Sequence, residues 1–179
     1  MDITTLPLRL GHQIITDITN DIYQEIVREY IIYAIKVGIF AGVITAVVAT
    51  IIGLTRLSSL NLTMYTGCML TGTNKGPVPF IVGSLIHLIA SAAFGVTYLY
   101  LIHTFKIPGT ITYAIALGIA HTFFSGTLIL FLDVINPCTR NKMIPYVGFM
   151  GTAQGLSSVL TYTTIHILYA VIVVMLLTR

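Results

Sequence analysis

Four apolar runs constrain this chain more than any other feature. They cover residues 30–54, 79–103, 110–132 and 155–177. A helix rises about 1.5 Å per residue, so about 20 apolar residues cross a hydrocarbon layer about 30 Å thick. That layer holds no water for backbone N–H and C=O groups, so each run must satisfy them internally, as a helix. Composition agrees. Hydrophobic residues make up 56% of the 179 and charged residues 8%, with a mean hydropathy of +0.93. A domain that keeps its surface in water carries roughly 25% charged residues. A soluble globule, a disordered chain and a disulfide-dense secreted module are therefore excluded. The predicted fold is all-α: a polytopic membrane bundle of four helices.

The segment before the first run predicts a further helical unit. Ile14, Ile18, Ile22 and Ile26 recur every four residues, while Asp17, Asp21, Gln24 and Arg28 fall elsewhere on the wheel. That is an amphipathic stripe, able to lie in the headgroup layer or to dock on protein. Two regions are thus expected: an interfacial helix over 1–29 and a transmembrane domain over 30–179. The first thirty residues lack a basic start followed by an apolar core, so no cleavable leader is expected.

The connections set the topology. Ile107-Pro108-Gly109 is a tight turn, which makes the second and third spans antiparallel neighbours. Residues 56–78 and 133–154 are long connections and share one face. Both termini and the short turn share the other. Lys and Arg near the membrane balance between the faces, so the positive-inside comparison is a tie. The charged N-terminal helix and the compact turn favour cytoplasmic termini. The net charge is only +3, with no basic run, so no nucleic-acid partner is expected.

The spans also hint at a 2+2 internal repeat. Val37-Gly38-Ile39 aligns with Leu117-Gly118-Ile119 at an offset of 80, and Ser84 to Ile89 with Thr163 to Leu168 at an offset of 79. Paired spans run in the same direction, so the repeat is parallel, about an axis along the membrane normal. The glycine-rich Gly38-Ile39-Phe40-Ala41-Gly42, a second helix with His87, Phe94-Gly95 and Tyr98, a Gly-led third helix and His166-Ile167-Leu168-Tyr169 resemble a broad group of small four-helix prokaryotic membrane proteins. The resemblance spans residues 36–177. It implies a bundle in a prokaryotic cytoplasmic membrane and carries over no catalytic residue.

Candidate functional residues are few. Gly38 and Gly42 form a GxxxG pair. Gly118 and Gly126, with Thr122 between them, continue the pattern on the third span. Small residues let membrane helices approach closely, either within one bundle or across a homodimer seam. Lys36 is the one formally charged residue inside a span and lies near enough to its end to snorkel. Asp133 falls at the far end of the third span, where an interfacial position is expected. Serine and threonine hydroxyls in the fourth span can bond the preceding turn of their own helix. Cys68 and Cys138 lie in the two long connections. They are bridged if that face is oxidising and brings them together, and are otherwise free thiols. Their spacing does not suit a metal site.

Three histidines lie inside three different spans. From the long-loop face, His87 is about 12 Å deep and His121 and His166 are each about 16 Å deep. Small and polar neighbours at spacings of three and four predict that all three point into the bundle as a polar layer. An ionisable side chain at that depth suggests function, although neutral histidines that only join helices would look the same. No hydrolase, phosphate-binding or dinucleotide signature is present. Three readings follow. One is a non-enzymatic accessory or structural subunit that packs against a membrane-protein partner or itself within the lipid bilayer. The second is a protein that ligates haem b through the histidines. The third is a transporter of small solutes or lipids.

Overall fold

The computed structural model describes the backbone of residues 6–179 and the side chains of residues 23–179. Helix α1 runs from Leu6 to Leu54, α2 from Leu62 to Thr71, α3 from Val78 to Phe105 and α4 from Ile111 to Ile135. A single turn, α5, covers Pro137–Arg140, and α6 covers Leu156–Leu177. There is no strand among the described residues. Four helices are long and apolar enough to cross a membrane: Tyr23–Leu54, Val78–Phe105, Ile111–Ile135 and Leu156–Leu177. The protein is an all-α integral membrane protein.

The chain divides into two units, residues 1–33 and 34–179. In the first, the isoleucine stripe at Ile14, Ile18 and Ile22 lies outside the described side chains. Ile26, the last of that line, is exposed. Arg28 and Glu25 form an exposed ion pair at 3.9 Å, a type that adds little stability in water. No helix end falls near residue 29, because α1 is continuous over 49 residues. The sequence between the polar stripe and the apolar run contains neither Gly nor Pro, so nothing stops the helix there.

The second unit is built on close backbone approach. Gly38 and Gly42 on α1 face Ser91 and Gly95 on α3, with Gly38 against the Ser91 carbonyl and Gly95 against the Ala34 carbonyl. Gly118 on α4 faces Ile167 and Ala170 on α6, and Gly126 faces Phe149 and Met150. All four glycines singled out in the sequence are therefore used inside one bundle. Gly38 meets Ser91, and its counterpart Gly118 meets Ala170, which lies 79 residues beyond Ser91. The mainly apolar core gathers Val37, Ala41, Tyr98, Ala114, Tyr169, Ala170, Val173 and Val174. A smaller cluster holds Tyr65, Ile129, Val147 and Tyr162. Outward-facing Val43, Val47, Leu85, Ile89, Phe123, Phe124 and Phe131 are exposed in the isolated chain, as side chains solvated by lipid would be. Lys36 is exposed as well.

The long connections are structured. Residues 56–78, a long connection in the sequence, contain α2. Its start is capped by Asn61 Oδ1, which accepts from Met64 N at 2.9 Å. Its end is capped by Gly72 in the left-handed region at φ 68°, a conformation that glycine adopts without a Cβ clash. Gly67 on α2 and Gly83 on α3 pack backbone to backbone. The second connection holds α5 and a 3₁₀ segment, Phe149–Gln154, broken by left-handed Met150 and Gly151. The Cys68–Cys138 disulfide joins the two connections, with Cα atoms 6.0 Å apart. Asn74 Nδ2 donates to Met143 O at 2.7 Å and Asn136 Nδ2 to Tyr65 O at 3.2 Å. Together these bonds make the long-loop face a stitched cap.

Candidate functional site: a histidine layer between the helices

Each histidine is held by a specific neighbour. On α3, His87 places Nε2 3.0 Å from the carbonyl oxygen of Gly42 on α1. A carbonyl can only accept, so Nε2 donates. The bond is within reach because Gly42 lets Ser91, and with it α3, close on α1. On α6, His166 places Nδ1 2.7 Å from the Tyr162 carbonyl of its own helix. By the same argument Nδ1 carries the proton there. On α4, His121 is 9% exposed, and its Nδ1 lies 3.3 Å from the Tyr98 hydroxyl on α3.

His121 and His166 meet edge to face with ring centroids 4.9 Å apart. The Phe94 ring covers His121 at 4.0 Å, and Tyr169 approaches it at 5.6 Å. Tyr169 in turn donates its hydroxyl proton to the Ser91 carbonyl on α3 at 2.5 Å. The result is an aromatic, hydrogen-bonded knot joining α3, α4 and α6. His87 ties α3 to α1. The structure thus brings the His121 and His166 rings into contact, while His87 bonds to α1.

Surrounding hydroxyls are satisfied locally. Thr45, Ser91, Thr122, Ser125 and Thr161 each donate to the carbonyl four residues earlier. This pattern lets a hydroxyl sit in a membrane helix without a ligand. A haem held by both His121 and His166 would place a porphyrin between their rings. Rings 4.9 Å apart and edge to face leave no such slot, and Phe94 packs closely on His121. The residues present do not fit haem b at that pair. Among the described residues, no group of three His, Cys, Asp or Glu side chains is placed to hold a metal.

Compared with known protein families, curated proteins and solved structures, the chain matches none. The likeness to small four-helix prokaryotic membrane proteins therefore rests on the residues quoted for it.

Several structural residues have only weak signals in the sequence. Tyr98 and Tyr169 complete the knot, but tyrosine is common near membrane interfaces and does not stand out as histidine does. Asp133 was expected at a wet interface. It is instead 5% exposed and accepts from Gly148 N at 2.7 Å and Val147 N at 3.4 Å. The connection folds back over the end of α4 and encloses the carboxylate, whose charge is met by backbone donors. Gly148, at φ 70°, is the sequence signal for that turn.

Tyr65 lies beside Asp133 and is 2% exposed. Its hydroxyl meets no partner at hydrogen-bonding geometry among the described residues. Burial first, and then the Asp133 charge, push its phenol well above the usual value near 10. A raised phenol contributes stability below pH 10 that is lost as pH rises, because the unfolded chain releases its proton first. Wild type should therefore lose up to about 1.4 kcal/mol per pH unit above pH 10 relative to Tyr65→Phe. At neutral pH the two should differ by less than about 1 kcal/mol, since the lost hydroxyl has no partner. Unfolding in detergent from pH 8 to 11 measures this. Parallel curves for the two proteins would show an accessible phenol.

Proposed function

We propose that the protein is a non-enzymatic, multi-pass subunit of a prokaryotic cytoplasmic membrane, serving a larger assembly or its own oligomer through helix packing. One observation carries this reading: the His121–His166–Tyr98–Tyr169 knot is held together by contacts among its own groups and with backbone carbonyls. Its rings and hydroxyls contact one another or backbone carbonyls, and Tyr98 and His121 also border a cavity of about 410 Å³. A catalytic centre gathers several chemical groups around its substrate; this cavity is otherwise walled mainly by Phe94, Leu101, Leu117 and Phe124 with Thr97, and the knot serves as a strut between α3, α4 and α6. A rigid bundle with apolar outer faces suits a subunit that presents shape rather than chemistry.

The disulfide supports an orientation. Such bonds persist in oxidising compartments, so the long-loop face belongs outside the cytoplasm and both termini inside. The test has two arms. Alkaline phosphatase fused near residue 70 or 140 should be active, and green fluorescent protein fused at residue 1 or 179 should fluoresce. The opposite pattern overturns the orientation. Cross-linking in native membranes, followed by purification in mild detergent, should yield a stoichiometric complex larger than the 19.5 kDa chain. Recovery of the monomer alone would overturn the subunit role.

A further inference from the structure

His87 has a second neighbourhood. Beside its bond to Gly42 it borders a cavity of about 460 Å³ between the end of α1, the connection at 58–63, the start of α3 and α6. Small-molecule sites commonly enclose about 300–1,000 Å³. The lining carries hydroxyls, an amide and an imidazole but no Lys, Arg, Asp or Glu. A charged guest would find no counter-ion there, and a buried unpaired charge is costly.

A groove between α1 and α3 adjoins this cavity and shares Ala46, Thr50, Thr63 and His87 with it. Its outer wall is Val43, Val47 and Ile51, which are about half exposed on the lipid-facing side of α1. The two spaces form one site, polar toward the cap and apolar toward the bilayer. An amphiphile entering sideways from lipid would keep its chain in the groove and its head in the cavity.

Hydrogen-bond polarity narrows the head. Thr45, Thr50 and Thr161 already donate their protons to the carbonyls of Ala41, Ala46 and Ser157. Ser59 donates to Gln154 Oε1 at 3.3 Å. His87 donates through Nε2 to the Gly42 carbonyl. What remains for a guest is a mixture: the lone pairs of these hydroxyl oxygens, together with the N–H groups of Asn61 Nδ2 and the hydroxyl of Thr63. Such a wall suits a group that both donates and accepts, an alcohol, over one that only accepts, such as a quinone carbonyl or an ester.

We propose that this site binds an uncharged lipid bearing a free hydroxyl, of the diacylglycerol class, with the hydroxyl among Thr50, Thr63 and His87 and one acyl chain along Val43 and Val47. The site is independent of the subunit role, since neither its lining nor its test involves a partner protein.

The purified full chain in phosphatidylcholine nanodiscs tests it. The probes are a diacylglycerol with a diazirine in one acyl chain, its O-methyl ether, and phosphatidic acid with the same chains. The diacylglycerol should label residues 43–51 and 80–88, in competition with unlabelled diacylglycerol. The ether and the phosphatidic acid should label about tenfold less. Ala46→Leu fills both spaces and should reduce labelling about tenfold. Thr50→Val removes one acceptor at constant shape. Its hydroxyl bonds only its own helix, so the fold is kept and labelling should drop severalfold even if Ala46→Leu misfolds. Equal labelling by all three probes, labelling away from these segments, or full labelling of folded Ala46→Leu or Thr50→Val would overturn the proposal.

Discussion

Gly95→Leu is expected to abolish the folded bundle, whereas Gly53→Ala should be harmless. A Cβ at Gly95 would stand 3.0 Å from the Gly38 Cα and closer still to the Ala34 carbonyl. These are backbone atoms with no rotamer to change, so α1 and α3 must move apart. Separation also removes the contacts of Gly42 with Ser91 and the hydrogen bond from His87 to the Gly42 carbonyl. Forcing bulk into a well-packed core costs about 1–3 kcal/mol where side chains can adjust. Here the seam itself depends on backbone approach, so the loss should exceed about 3 kcal/mol. At Gly53 nothing lies within 4 Å, and alanine there should gain about 0.5–1 kcal/mol of helix propensity. Thermal unfolding in detergent, followed by circular dichroism, compares the two. A native-like transition for Gly95→Leu would mean that α1 and α3 are not in contact.

The same geometry explains what was legible in the sequence. Four apolar runs translate directly into helices, because the bilayer admits no other backbone arrangement for them. The glycines could be recognised as packing residues, but not assigned to partners. Gly38 finding Gly95 depends on the crossing of α1 and α3, which no local pattern encodes. Helix α2 escaped notice for another reason. At ten residues it is too short for a span and uncharged along its length, so neither hydropathy nor amphipathicity marks it. Only Asn61 at its start and Gly72 after its end signal it, and both also fit a loop.

The histidines were conspicuous because ionisable residues are rare in apolar runs. Their depth could be counted from helix rise, yet depth alone does not say which rings meet. His121 and His166 meet because Gly118 lets α4 settle against Ile167 on α6. His87 reaches α1 because Gly42 lets α3 close on it. One glycine on each side therefore decides which histidine belongs to the knot and which bonds to α1. Asp133 was misplaced because a carboxylate at a span end looks interfacial until the connection from 136 to 148 folds over it.

Breaking the Cys68–Cys138 bond should lower stability by about 2–4 kcal/mol and loosen the cap before the helices part. Chain-entropy reasoning for a closed loop of about 70 residues gives about 4 kcal/mol. Part of that loop is α3 and α4, which can persist as helices in an unfolded state that stays in the bilayer, so the ends are already restricted and the gain is smaller. Reduction leaves the Asn74–Met143 and Asn136–Tyr65 bonds in place. Those bonds hold α2 near α5 but cannot replace a covalent tie. Both sulfurs belong to residues with 0% exposure, so a reductant reaches them only when the cap opens. Reduction should therefore be slow in the folded protein and fast in denaturant. Cys68→Ala with Cys138→Ala should show the lower stability without reductant, with increased hydrogen exchange across 62–71 and 137–154 and little change at His121 and His166. Two thiols alkylated at once in the folded, unreduced protein, or uniform exchange across the whole bundle in the variant, would show that the cap is not held by this bond.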